Sequence, residues 1–123
     1  MQVPAFLLRR LYVKGSLRNE DGGFAFDLKN SLGSGYAESV LPLTIDGAEV
    51  PIAAASFETD GEALPFEDVS AERTMTLGMN KVVTIRVAGQ ALPAGKHKIG
   101  IGFMVTGMGK MEFDVTDAIE AGA

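Results

Sequence analysis

The stretch FAFDLKNSLGSGYAESVLPLTIDGAEVPIAAASFETDG, residues 24–61, decides the predicted fold. It opens with Phe24, Phe26 and Leu28 alternating with small or charged residues, a period of two that is typical of a half-buried antiparallel strand. An Asp-Gly dipeptide follows at residues 46–47, and both positions of a tight hairpin turn must accept positive φ. The stretch therefore predicts β-structure built from hairpins.

The same rhythm of short strands and turns continues towards the C-terminus. Alternating or β-branched runs lie at residues 82–87, 97–105 and 111–115, and turns that contain glycine or asparagine separate them. About eight or nine short strands are predicted, with no helix longer than a turn or two. The pattern predicts an all-β fold, a two-sheet antiparallel sandwich of the immunoglobulin-like kind, with a small β-barrel as the alternative.

The segment FLLRRLYVKGSLRN, residues 6–19, fits two interpretations. A short helical turn over residues 7–11 is one of them. The aromatic and β-branched residues that follow favour extension, so we predict one strand over residues 10–18, with Gly15 as its candidate bulge.

Length and composition predict a single domain over residues 1–123, with loose termini at 1–5 and 117–123. The chain has 123 residues, of which 46% are hydrophobic, enough to bury one core. Its net charge of −5 disfavours binding to nucleic acid or anionic lipid. Cysteine is absent, which removes thiol nucleophiles and thiolate metal sites.

No apolar run approaches the roughly 20 residues that a membrane-spanning helix needs. The N-terminal arginines follow a short apolar run, whereas a signal peptide carries its basic residues ahead of a longer one. We therefore expect a soluble, cytoplasmic protein without a membrane partner.

The glycine-rich sequence Leu32-Gly33-Ser34-Gly35-Tyr36 is the most unusual local feature of the chain. It lacks the third glycine and the opening helix of a dinucleotide fingerprint, and the Gly-Lys-Ser/Thr of a phosphate loop. Two interpretations stay open: a flexible connection between strands, or a loop that contacts a partner or ligand, with Tyr36 as an amphipathic contact.

His97 is the only histidine, so neither a three-ligand zinc site nor a nucleophile elbow with a catalytic triad is supported. We predict no catalytic residue, metal ligand or cofactor in this chain. Because His97 follows a turn and begins a strand, we expect it to be structural, holding the preceding loop by a hydrogen bond. Asp46 and Gly47 are likewise expected to be structural, as the turn of a hairpin.

Four segments together resemble a known family. They are FDLKNSLGSGY at 26–36, PLTIDGAEVP at 42–51, FETDG at 57–61 and LPAGKHKI at 92–99. Over about residues 11–115 the chain resembles the small β subunit of bacterial C-glycoside deglycosidases.

That resemblance implies a non-catalytic β-sandwich subunit paired with a larger TIM-barrel α subunit. The α subunit would hold the divalent metal and the acid/base residues, and the complex would cleave a carbon–carbon bond by a lyase-type elimination. This chain would stabilise the catalytic subunit and shape the rim of its pocket through residues 32–36. The resemblance carries no catalytic residue onto this chain.

Two alternatives from other classes remain at this point. One is a stand-alone sandwich that binds a carbohydrate or another small molecule, and it predicts ligand binding by the isolated chain. The other is a homo-oligomeric structural domain that pairs through its edge strands. An independent enzyme is the least favoured, because one histidine and no recognised motif offer little from which to build a site.

Overall fold

The computed structural model describes residues 4–20, 22–30, 35–59, 61–70, 72–89 and 91–119. Their fold is nearly all-β and consists of two antiparallel sheets, which confirms the predicted fold class. The described residues form eleven strands, where eight or nine were predicted, because several strands are only two or three residues long. The strands are β1 (Arg18–Glu20), β2 (Gly23–Lys29), β3 (Gly35–Val40), β4 (Thr44–Ile45), β5 (Ala48–Glu49), β6 (Ala55–Thr59), β7 (Glu62–Pro65), β8 (Met75–Leu77), β9 (Val82–Val87), β10 (Gly95–Val105) and β11 (Gly109–Ile119).

The two sheets are held together by one hydrophobic core. The first sheet has the strand order β1-β2-β9-β6-β7, and the second has β5-β4-β10-β3-β8, with β11 on the other side of β10. Because side chains alternate across a strand, each sheet turns one set of apolar residues inward. Phe26 and Ile85 from the first sheet and Ile99 and Phe103 from the second are at most 2% exposed and belong to the same cluster. A sandwich, rather than a barrel, is therefore the observed architecture.

β2 is more deeply buried than its alternating pattern predicted. Ala25 points to the outer face of the sheet, yet it is completely inaccessible to solvent. Its neighbours in register are Arg18 on β1 and Arg86 on β9. The Glu20 carboxylate accepts hydrogen bonds from the Nε atoms of both, at 2.8 and 3.1 Å, and these two bonds lower the pKa of Glu20. The paired guanidinium groups thus cover the outer face that the strand would otherwise expose.

The N-terminal segment is helical where a strand over residues 10–18 was predicted. Helix α1 (Ala5–Leu8) runs into a 3-10 helix, Arg9–Leu11, and the first strand begins only at Arg18. The prediction failed because Leu8 and Leu11, three positions apart, are 2% and 5% exposed, so a helical turn buries both. Two further 3-10 turns span Ile52–Ala54 and Phe66–Asp68. No helix in the described ranges is long and apolar enough to cross a membrane.

β11 extends further than expected, because Asp117 anchors its end. The loose C-terminus was predicted to begin at residue 117, but β11 continues to Ile119, which is buried. Oδ2 of Asp117 accepts hydrogen bonds from the Tyr12 hydroxyl at 2.6 Å and from the backbone amides of Gly15 and Leu17 at 3.0 and 3.3 Å. Burial disfavours the charge of this carboxylate, but these hydrogen bonds outweigh burial and lower its pKa. Asp117 therefore fastens the N-terminal segment to the last strand.

Candidate functional site

The predicted contact loop lies partly in a strand. Residues 32–34 lie outside the described residues, so Leu32, Gly33 and Ser34 cannot be placed. Gly35 and Tyr36 open β3, where Tyr36 pairs with Thr76 of β8 and its carbonyl accepts the Thr106 amide at 2.9 Å. The Tyr36 side chain is 55% exposed, so it is available for contact. Whether it contacts a partner or a ligand stays a prediction.

Exposed apolar side chains gather at the end of the sandwich where Tyr36 lies. Five large hydrophobic side chains are exposed among the described residues, and four of them belong to this end. These four residues, which we call the apolar end, are Tyr36 (55% exposed), Met79 (51%), Val82 (47%) and Met108 (42%). The fifth, Phe6, lies on α1.

The topology places these four residues, which come from three segments of the chain, at one end of the sandwich. β2 ends and β9 begins here, because Lys29 pairs with Val82. The β8–β9 connection crosses between the sheets and donates the Asn80 amide to the Asn30 carbonyl at 2.6 Å. The β10–β11 hairpin turns at the same end, with the Met108 amide bound to the Val105 carbonyl. Hydrogen-bonded turns thus present Met79 and Met108, while Tyr36 and Val82 lie at the starts of β3 and β9.

Two of these residues carried a signal in the sequence that was not used. Met79 and Met108 sit in the turns Gly78-Met79-Asn80 and Gly107-Met108-Gly109, where polar residues are usual. Methionines around the last hairpin are compatible both with core packing and with a partner surface. In the structure Met111 packs in the core, because it is 7% exposed, whereas Met108 is on the surface and 42% exposed.

The residues predicted to be structural lie at the opposite end of the sandwich. Asp46 and Gly47 have φ values of 53° and 88°, so both turn positions take the left-handed conformation. Nδ1 of His97 lies 2.7 Å from Oδ2 of Asp46, and its Nε2 lies 2.8 Å from the carbonyl oxygen of Pro93. The Lys98 amide donates to the other Asp46 oxygen at 2.9 Å. These hydrogen bonds are a physical basis for the structural role predicted for His97, Asp46 and Gly47. That role stays a prediction.

Two hydrogen-bond acceptors favour the charged form of His97. A carbonyl and a carboxylate can only accept, so both ring nitrogens donate when the imidazole is protonated. The Pro93 carbonyl, and after it Asp46, raise the pKa of His97, although burial opposes the shift. The Lys98 amide and then His97 lower the pKa of Asp46. The ring therefore joins the hairpin turn to the loop before β10.

The histidine contacts predict a stability that depends on pH. Because folding raises its pKa, His97 contributes fully below the unfolded value of about 6.5, and the contribution is lost as pH rises through the folded value. We expect His97→Gln to lower the free energy of unfolding by about 1–3 kcal/mol at pH 5.5, and by less at pH 9. Urea unfolding of both proteins across this range measures the difference. A difference that does not change with pH would show that the ring is not held as the cation.

Within the described ranges, no group of three or more His, Asp or Glu side chains is arranged to hold a metal ion. No buried side-chain nitrogen or oxygen in these ranges lacks a hydrogen-bond partner. What the described residues do offer for function is the apolar end.

Comparison with known families corrects the resemblance drawn from the sequence. The family model described as hydroxymethylglutaryl-CoA reductase, N-terminal domain, matches residues 7–120. The identification with the β subunit of C-glycoside deglycosidases is therefore wrong. Its motifs, an Asp-Gly turn and a Gly-Lys-His before a strand, are hairpin chemistry that many sandwiches share. The expected TIM-barrel partner with a divalent metal rested on that resemblance alone. No curated protein matches the chain.

Proposed function

The chain belongs to the family of the hydroxymethylglutaryl-CoA reductase N-terminal domain, and from that premise we propose that it is an interaction domain that docks onto a catalytic protein. The family description names one domain of a larger enzyme. We therefore infer that the occupant of the docking surface is the catalytic part of such a reductase. In this proposal the reaction belongs to the partner, and this chain stabilises it.

The single observation that carries the proposal is the apolar end. Isolated apolar residues are common on protein surfaces, whereas a cluster of them is typical of an interaction site. Tyr36, the pair Met79 and Val82, and Met108 come from three separate segments, and each is exposed at this end of the sandwich. Tyrosine and methionine are also enriched in protein interfaces, where the flexible thioether adapts to the facing surface.

The charges near the apolar end favour an acidic partner surface. Lys29 pairs directly with Val82, and Lys81 precedes Val82 in the chain. Both lysines are exposed, although the chain as a whole carries a net charge of −5. Complementary charge at the rim of an interface accelerates association and fixes orientation more than it adds affinity. We therefore expect salt to slow the association of this domain with its partner.

Calorimetric titration of this chain into the purified catalytic region of the reductase from the same organism tests the proposal. We expect saturable binding that the double variant Tyr36→Ser/Met108→Ser weakens at least about tenfold, a loss of about 1.4 kcal/mol. Phe6→Ser is the matched control, because Phe6 is 67% exposed but lies on α1, outside the apolar end. It should bind like the unaltered chain.

Two results would contradict the proposal. Absence of binding at concentrations on the order of 100 µM would remove the reductase as the partner. Equal weakening by Phe6→Ser would move the interface away from the apolar end. Analytical sedimentation of the chain alone tests the homo-oligomer alternative. If the chain self-associates and Tyr36→Ser/Met108→Ser abolishes that self-association, a second copy of the chain occupies the apolar end.

A further inference from the structure

A groove lies on the outer face of the second sheet, away from the apolar end. It has a volume of about 440 Å³, and β10, β11 and the segment before β4 line it. This volume is within the range of about 300–1,000 Å³ that is usual for small-molecule sites. Because none of the four residues of the apolar end lines the groove, it is a separate feature from the proposed docking surface.

Two of the residues of β10 that line the groove are glycines, Gly100 and Gly102. A Cβ on Gly100 would overlap the hydroxyl of Thr44, and one on Gly102 would lie 2.8 Å from Cδ1 of Leu41. The flanking segment therefore packs directly against bare backbone. Leu41 and Pro42 form an apolar wall of the groove.

The opposite wall carries cations with spare hydrogen-bonding capacity. Nε of Arg9 donates to the Asp114 carbonyl at 2.9 Å, while its terminal nitrogen lies 3.6 Å from the Asp114 carboxylate. Nζ of Lys98 lies 3.9 Å from the same carboxylate. Both side-chain contacts are ion pairs that are too long for hydrogen bonds. Among the described residues, the remaining groove carboxylate, Glu112, is paired with Lys110 at 3.1 Å.

We propose that this groove binds a small ligand that joins a carboxylate to an apolar body. The carboxylate accepts hydrogen bonds from the terminal nitrogens of Arg9 and from the Lys98 ammonium, and the fork of the guanidinium suits it. The apolar body packs against Leu41 and Pro42. The Asp114 carboxylate competes with the ligand carboxylate, because both are negatively charged and both interact with Arg9 and Lys98.

The probe is benzoate, titrated into the full chain labelled with nitrogen-15. We expect saturable shifts of the Gly100 and Gly102 amide signals, with a Kd of about 1 mM, as is usual for a fragment of this size. Benzyl alcohol keeps the ring without the charge, and acetate keeps the charge without the ring. Each should bind at least about fivefold more weakly than benzoate.

Variants of the charged groove residues test both the predicted attraction by Lys98 and the predicted competition by Asp114. Lys98→Gln should weaken benzoate binding about fivefold, whereas Asp114→Asn should tighten it by a similar factor. Lys96→Gln is the control, since Lys96 is on the same strand but outside the groove, and it should bind like the unaltered chain. Arg9→Gln is less informative, because Arg9 also holds the edge of β11.

Three results would overturn the proposal. They are shifts that do not saturate, equal shifts with benzyl alcohol, and no tightening by Asp114→Asn. None of them affects the apolar end, so failure here leaves the reductase titration to be judged separately. Conversely, Tyr36→Ser/Met108→Ser should leave benzoate binding unchanged.

Discussion

Gly23→Ala is expected to destabilise the sandwich by at least about 3 kcal/mol. A Cβ on Gly23 would overlap the carbonyl oxygen of Val87, at the point where β2 pairs with β9. The obstacle is backbone, so no rotamer change relieves it, and the central strands of the first sheet must separate. Urea denaturation followed by far-UV circular dichroism measures the loss.

Gly35→Ala is the matched control for that substitution. Gly35 is also the first residue of a strand, but the nearest atom to a Cβ there is Cγ1 of Val105 at 3.5 Å, an ordinary van der Waals contact. We expect its free energy of unfolding to stay within about 1 kcal/mol of the unaltered chain. If both variants unfold at the same denaturant concentration, the close approach of β2 to β9 is not the reason for glycine at position 23.

Phe26→Ala is expected to cost about 3–5 kcal/mol. The Phe26 side chain is completely buried, and its ring centroid lies 5.8 Å from that of Tyr12. Truncation leaves a cavity between the sheets and removes the ring against which the N-terminal segment packs. Because a small domain has about 5–15 kcal/mol of stability in total, this variant loses a large part of it.

The same substitution at an exposed phenylalanine shows whether the loss of stability comes from burial of the side chain or from the residue type. Phe6→Ala removes the same atoms from a side chain that is 67% exposed, and its cost should be below about 0.5 kcal/mol. Phe26→Leu, which keeps most of the apolar volume, should lie between the two. Equal destabilisation by Phe6→Ala and Phe26→Ala would mean that the centre of the core lies elsewhere.

The local sequence pattern predicted those features of the fold that depend only on residues close together in the chain. The alternation of Phe24, Phe26 and Leu28 and the Asp46-Gly47 turn led to the two-sheet fold, because period and turn chemistry act over a few residues. The burial of Ala25 could not be predicted in this way, since it requires Arg86, which is 61 positions further on by residue number. The helix at Ala5–Leu8 likewise depends on tertiary burial of Leu8.

The candidate site was harder to predict than the fold. Tyr36 was identified as a candidate contact from its glycine-rich surroundings, but Met79, Val82 and Met108 join it only through strand order. Strand order depends on which sheet edges pair, and a single sequence carries no direct signal for that. For a related reason, the sequence does not predict the groove. Gly100 and Gly102 stand in a strand, but the segment that packs against them is more than 50 positions away in sequence.

The Asp117 anchor has a consequence for the order of folding during synthesis. Tyr12 emerges from the ribosome before its hydrogen-bond acceptor, which is 105 residues further along the chain. The N-terminal segment must therefore wait, with Leu8 and Leu11 unburied, until the last strand has been made. Contacts between residues so far apart in sequence slow folding and leave apolar surface exposed in the meantime. The nascent chain is thus most vulnerable to aggregation and proteolysis just before its final strand closes the second sheet.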